Sequence, residues 1–156
     1  MGLDVRISGA EQLRKVAAQI QATGDKGLGR EMGRALNKAI EPIKTAIAES
    51  AAESMPSGYR GVLTASLKHR RTQRTAARTA SLKLTTFAPG KRERRDVVRL
   101  NKGQLRHPVF GRRRKPWTTT SIRPGFYDRG TRRAMAEAEQ RLGVVLDDFA
   151  RRLARG

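Results

Sequence analysis

The 156-residue chain has no cysteine, which excludes disulfides, thiolate metal sites and a cysteine nucleophile together. Aromatic residues are only 4% of it, so a core has to be assembled mainly from Leu, Ile, Val and Ala. Acidic residues are scarce too: 14 Asp and Glu face 34 Lys and Arg, a net charge of +20. Charge of that size makes a compact monomer repel itself and calls for an external neutraliser. No stretch approaches the ~20 apolar residues of a membrane span, and Met1 to Ala10 has no apolar run of signal-peptide length. The expectation is a soluble protein made in the cytoplasm, with no membrane partner. An apolar fraction of 37% is thin support for a solitary globule, and burial against further copies is expected to add to it.

The charge is regional. Met1 to Pro56 has 8 basic and 7 acidic residues, Ser57 to Arg133 has 22 and 3, and Ala134 to Gly156 has 4 of each. The flanks are balanced, whereas the centre is suited to sit beside negative charge.

Leu3, Val5 and Ile7 alternate with polar neighbours, as in a short half-buried strand. A helix capped by Ser8 or Gly9 is expected from about Ala10 to Ala22, with Leu13, Val16 and Ile20 on one face. From Asp25 to Met55, Leu28, Met32, Leu36, Ile40, Ile43 and Ile47 recur every three or four residues, predicting one long amphipathic helix. Pro42 inside it predicts a kink near Lys38 to Glu41, and Met55 to Gly58 ends it. Alternation through Leu67 to Gln73 and Leu82 to Thr86 predicts a hairpin, with its turn at Thr75 to Thr79. Pro89-Gly90 is read as a turn, Lys91 to Arg95 as a loop tip, Val97 to Leu100 as a strand, and Arg106 to Gly130 as irregular but docked. A last helix is predicted from Thr131 to Leu153, capped by Asp128 or Thr131. These elements predict a single α+β domain over residues 1–156, a small antiparallel sheet packed by the long kinked N-terminal helix and the C-terminal amphipathic helix.

Catalytic constellations are missing. His69 and His107 have no metal-ligand spacing, and the acid pairs Glu137/Glu139 and Asp147/Asp148 point apart on a helix. No Gly-x-Ser-x-Gly elbow or Walker-type loop occurs. The expectation is a protein that is not an enzyme, with no catalytic residues, cofactor, metal or small-molecule substrate. Candidate contacts to a partner or to DNA are Arg70, Arg71, Arg74, Arg92, Arg94, Arg95, Arg112, Arg113, Arg114 and Lys115. Contact with acidic protein surfaces and non-specific contact with double-stranded DNA both remain open from composition.

The order of Pro56 to Leu67 (PSGYRGVLTASL), His107-Pro108-Val109-Phe110-Gly111, Trp117 and Pro124-Gly125-Phe126 before a closing helix resembles the neck and tail-completion proteins of long-tailed phages, also described as minor tail or head-to-tail connector proteins. The resemblance implies a structural subunit of a homo-oligomeric ring in the virion, between portal and tail tube. Other connector and tail proteins would be its neighbours, and DNA would pass through the lumen. It implies no catalytic residues. His107, Pro108, Phe110, Trp117 and Phe126 would dock the loop. The rival expectation is a free-standing basic nucleic-acid-binding protein.

Overall fold

The computed structural model describes residues 2–75, 80–89, 96–108 and 117–156. The opening alternation forms strand β1 (Leu3–Ile7). Gly9, at φ 93°, turns the chain into helix α1 (Ala10–Thr23), which buries Leu13, Val16 and Ile20; that left-handed conformation is open to glycine at little cost. Helix α2 (Lys26–Ala39) is capped by Asp25, whose carboxylate accepts from the Leu28 N–H at 3.0 Å. The helical run then breaks at Ile40 and resumes as α3 (Glu41–Ser54), with Pro42 in its first turn, where a missing N–H costs no hydrogen bond. The interruption expected near Lys38 to Glu41 is therefore a bend between two helices.

The next segments depart from expectation in four places. Ser57–Ser66 is a helix, α4, where the sequence predicts only the stop at Met55 to Gly58. The expected hairpin follows as β2 (Lys68–Thr75) and β3 (Ala80–Phe87); residues 76–79 of its turn, Gly90 of the expected Pro89-Gly90 turn and residues 91–95 of the expected loop tip lie outside the described residues. Val97–Asn101 is a short helix, α5, and not a strand. Asp96 decides this, because its carboxylate accepts from the N–H groups of Val98 and Arg99 and so nucleates a helical turn. The segment Arg106 to Gly130 is not irregular throughout: β4 (Gln104–Pro108) pairs antiparallel with β5 (Trp117–Ser121). Helix α6 (Phe126–Ala154) begins five residues before Thr131. Its cap is Gly125 at φ 78°, with neither Asp128 nor Thr131 in that position.

The fold is α+β. A three-stranded antiparallel sheet has the order β1-β3-β2, beside the two-stranded β4-β5 sheet. Strand pleating puts Leu3, Val5, Ile7, Leu82, Leu84 and Thr86 on one face, in register with His69, Arg71 and Gln73 of β2. Helix α1 lies against β3 and β2 on that face, α6 reaches β1, and α6 packs most extensively on α3. One buried cluster joins Ile7, Leu82 and Leu84 of the sheet to Leu13, Leu36, Ile40, Ile43, Ile47, Phe126, Leu142 and Leu146 of the helices. Removing such aliphatic side chains from water contributes about 1.5–3 kcal/mol each. The opposite face of the sheet has no layer over it among the described residues.

Candidate functional site

Five cations of the helical layer have carboxylate partners. Arg133 donates to both carboxylate oxygens of Glu53, at 2.8 and 2.9 Å, joining α6 to α3. Arg152 does the same to Glu31 of α2, at 2.7 and 3.0 Å. Arg14–Glu11, Lys44–Glu41 and Arg141–Glu137 pair within single helices. The arginine hydrogen bonds hold the Glu53, Glu31 and Glu11 carboxyls below the usual range. These pairs are largely exposed and add little stability; Arg133–Glu53 and Arg152–Glu31 also hold α6 in place against α3 and α2.

The sheet's outer face is different. Asp4 and Arg6 of β1, Ser81, Lys83, Thr85 and Phe87 of β3, and Lys68, Arg70, Thr72 and Arg74 of β2 alternate onto it, with Arg6 opposite Lys83, Lys83 opposite Thr72, and Thr85 opposite Arg70. Among the described residues Asp4 is the only acid on this face. It accepts from the Thr85 hydroxyl at 2.6 Å and from Lys83 Nζ at 3.3 Å, and the Thr85 hydrogen bond is the main influence holding its carboxyl low. Arg70 places its guanidinium over the Phe87 ring, 5.8 Å from the centroid. Among the described residues no carboxylate pairs with Arg6, Lys68, Arg70 or Arg74. The regional charge seen in sequence thus becomes, in part, a cationic sheet face whose one ion pair among the described residues is Lys83–Asp4.

Arg71 does not share it. Its side chain projects toward the helices, where Nε donates to Asn37 Oδ1 at 2.7 Å and Nη1 to Gln73 Oε1 at 2.8 Å; burial lowers its pKa. It ties β2 to α2. His69 lies on the same inner face, with Nδ1 2.9 Å from the Thr86 hydroxyl. Tyr127 of α6 donates its hydroxyl to the Leu3 carbonyl at 3.1 Å, and burial pushes its phenol above the ordinary tyrosine range.

Burial, reinforced by the nearby Lys44 and opposed by Glu41, lowers the His69 pKa from its ordinary 6.5. Below that value the unfolded chain takes up a proton that folded His69 still refuses, so stability falls as pH drops and levels off below the folded pKa. The lowered carboxyls add their own loss only at more acid pH. Thermal melts are expected to show Tm falling between pH 6.5 and about 5 in the wild type, and falling less in His69→Gln. Parallel curves would remove His69 as the cause.

The residues assigned to loop docking separate into distinct environments. His107 sits in β4, its Nε2 2.8 Å from the Thr120 hydroxyl and its ring 6.1 Å from that of Tyr59. Pro108 pairs through its backbone with Trp117. Trp117 is 38% exposed, under the Arg106 guanidinium at 5.9 Å, whereas Phe126 is fully buried at the start of α6. Phe110, Arg92, Arg94, Arg95, Arg112, Arg113, Arg114 and Lys115 lie outside the described residues.

No family model, curated protein or solved structure matches this chain. Its chemistry is therefore read from its own surface. Among the described residues no cluster of three His, Asp or Glu has a metal-holding arrangement, and no helix is long and apolar enough to cross a membrane.

Two surface features were not visible in the sequence. A groove of about 480 Å³ between α2 and α6 is lined by Ala35, Ala39, Val144 and Val145, with Lys38, Glu137, Gln140 and Arg141 around them; Val144 is 62% exposed. Asn101 clamps the start of α6. Its carbonyl accepts from the Gly125 N–H at 2.7 Å, its Oδ1 accepts from the Tyr127 N–H at 2.9 Å, and its Nδ2 donates to Asp128 at 3.2 Å. An Asn directly before Lys-Gly looks like turn chemistry in sequence, and only the returning chain reveals the clamp.

Proposed function

We propose that this chain is a structural, non-enzymatic subunit of a phage head-to-tail connector, of the neck or tail-completion kind. Copies close into a ring between portal and tail tube, and double-stranded DNA passes through the lumen. The observation that carries this reading is the division of the surface. One side is a helical layer tied together by ion pairs, with an apolar groove and the exposed Val144; the other is a cationic sheet face without a covering layer among the described residues. A ring subunit needs both kinds of surface, because neighbours meet through heterologous protein patches while the lumen meets a polyanion. The resemblance carried by Pro56 to Leu67, His107 to Gly111, Trp117 and Pro124 to Phe126 points the same way.

On this reading the α2–α6 groove receives part of the adjacent copy. Val144→Asp places a charge there without touching the core, so the folded monomer is expected to change in stability by under about 0.5 kcal/mol while ring formation is lost. Light scattering and negative-stain imaging, with the protein alone and mixed with its own phage's capsids or tails, provide the test. Wild-type rings, or wild-type monomers recruited to one end of those particles, together with a Val144→Asp protein that does neither, support the reading. A wild-type monomer that ignores the particles overturns it. The unmatched sheet cations would then favour a free-standing nucleic-acid-binding protein.

A further inference from the structure

We infer that the outer face of the β1-β3-β2 sheet binds the phosphate backbone of double-stranded DNA, without regard to base sequence, through Arg6, Lys68, Arg70, Arg74 and Lys83. The inference deepens the proposed function by naming the partner of the basic face, and takes from it only that duplex DNA is the polyanion at hand.

Charge alone would suit any polyanion, so the other side chains on the face decide. A protein-binding patch has an apolar core, enriched in aromatics and depleted of charge. This face has cations at its centre as well as its rim, separated by the hydroxyls of Thr72, Ser81 and Thr85. Hydroxyls and cations together are the usual donors to phosphate oxygens. Single-stranded nucleic acid needs aromatic platforms on which bases stack, and the one ring on this face among the described residues, Phe87, is already under Arg70. Reading base edges in the major groove takes a protruding helix or two-stranded ribbon, whereas this face is one of three paired strands. What remains is a broad surface suited to the outside of a duplex.

Geometry supports the same occupant. Lys68, Arg70, Thr72 and Arg74 are consecutive same-face residues of one strand, spaced ~7 Å apart, with the next rows about 4.8 Å to the side. Donors therefore recur in two directions, and several phosphates can be neutralised at once. Four of the five cations form no close ion pair among the described residues, although Arg70 is near enough to Asp4 to help lower its carboxyl, so those four would break no salt bridge on binding. Lys83 would have to share itself with Asp4, 3.3 Å away.

The test uses the full chain, a short fluorescent duplex spanning two helical turns, and anisotropy titrations across a salt series. The wild type is expected to show a linear fall of log affinity with log salt. In Arg6→Ser/Arg70→Ser/Arg74→Ser that slope should become shallower by about 2.7, since each neutralised phosphate accounts for about 0.9, and affinity should fall by the same factor on duplexes of unrelated sequence. A charge-matched control, Lys15→Ser/Arg30→Ser/Arg34→Ser, alters exposed cations of α1 and α2 and should keep the wild-type slope. Thermal melts of both triples establish that they are folded. Equal losses in the two triples would reduce the effect to net charge and overturn the inference. So would a sheet triple with the wild-type slope, or tighter binding of single strands or of polyglutamate than of duplex. The titration reads DNA contact and light scattering reads the ring, so either can fail alone: rings without duplex binding sink this inference only, and duplex binding by a protein that neither forms rings nor joins particles sinks the connector reading only.

Discussion

Phe126→Ala is expected to lower the unfolding free energy by about 3–5 kcal/mol, whereas Trp117→Ala should cost no more than about 1 kcal/mol. The two aromatics look alike in the sequence, each in a Pro- and Gly-rich stretch that leads to the last helix. The structure separates them. Phe126 is 0% exposed and belongs to the same buried cluster as Ile47 and Leu142, so truncation removes a whole ring from a packed core and leaves a cavity. It also sits at the start of α6, where Gly125 and the Asn101 clamp fix the entry of the chain, so little local collapse can fill the space. Trp117 is partly exposed, and its described partner is the Arg106 guanidinium, a contact worth about 0.5–1 kcal/mol at an exposed site. For a chain of this length each kcal/mol moves Tm by about 2–4 °C, which makes the two variants easy to distinguish by calorimetry or denaturant titration. A Trp117→Ala protein as unstable as Phe126→Ala would mean that Trp117 packs into the core as Leu105 of β4 does.

Long periodic segments were legible in the sequence because one physical rule decides them. The alternation of β1, the stripes of α1 to α3 and α6, and the break forced by Pro42 all follow from burying one side of a regular element. Short segments were not. Val97, Val98 and Leu100 have a spacing that fits either helix or strand, and the Asp96 cap settles it. Gly58 and Gly61 disguise α4, although Tyr59, Leu63 and Leu67 keep helical spacing through it. The threonines of β5 favour a strand, but the surrounding Arg, Pro and Gly hide its pairing with β4. The candidate site depends on the same limit. Arg70 and Arg71 are adjacent and chemically identical, yet the pleat sends one to the open face and the other to Asn37. Which cations are matched depends on contacts such as Arg133 with Glu53, 80 residues apart, which no local pattern encodes.

Within α6, two glycine-to-alanine substitutions are expected to have opposite signs. Both gain helix propensity, about 1 kcal/mol relative to glycine, so the surroundings decide. A Cβ on Gly143 meets nothing within 4 Å, and Gly143→Ala should stabilise the protein by up to about 1 kcal/mol. A Cβ on Gly130 would lie 2.7 Å from the Ala46 carbonyl oxygen and 2.7 Å from Ile47 Cα. Those atoms are backbone of α3, so no side-chain rotation can relieve the overlap. The two helices would have to separate along the most extensive helix–helix contact of the fold, at an overpacking cost near the upper end of about 1–3 kcal/mol. That outweighs the propensity gain and leaves a net loss of about 2 kcal/mol. Urea titration of the two variants beside the wild type checks the pair, with midpoints expected on opposite sides of the wild-type value. Stabilisation by Gly130→Ala would mean that α3 and α6 cross with more room than this packing allows. A loss in Gly130→Ala alone, with Gly143→Ala improved, places the requirement for glycine at the crossing and not in the helix itself.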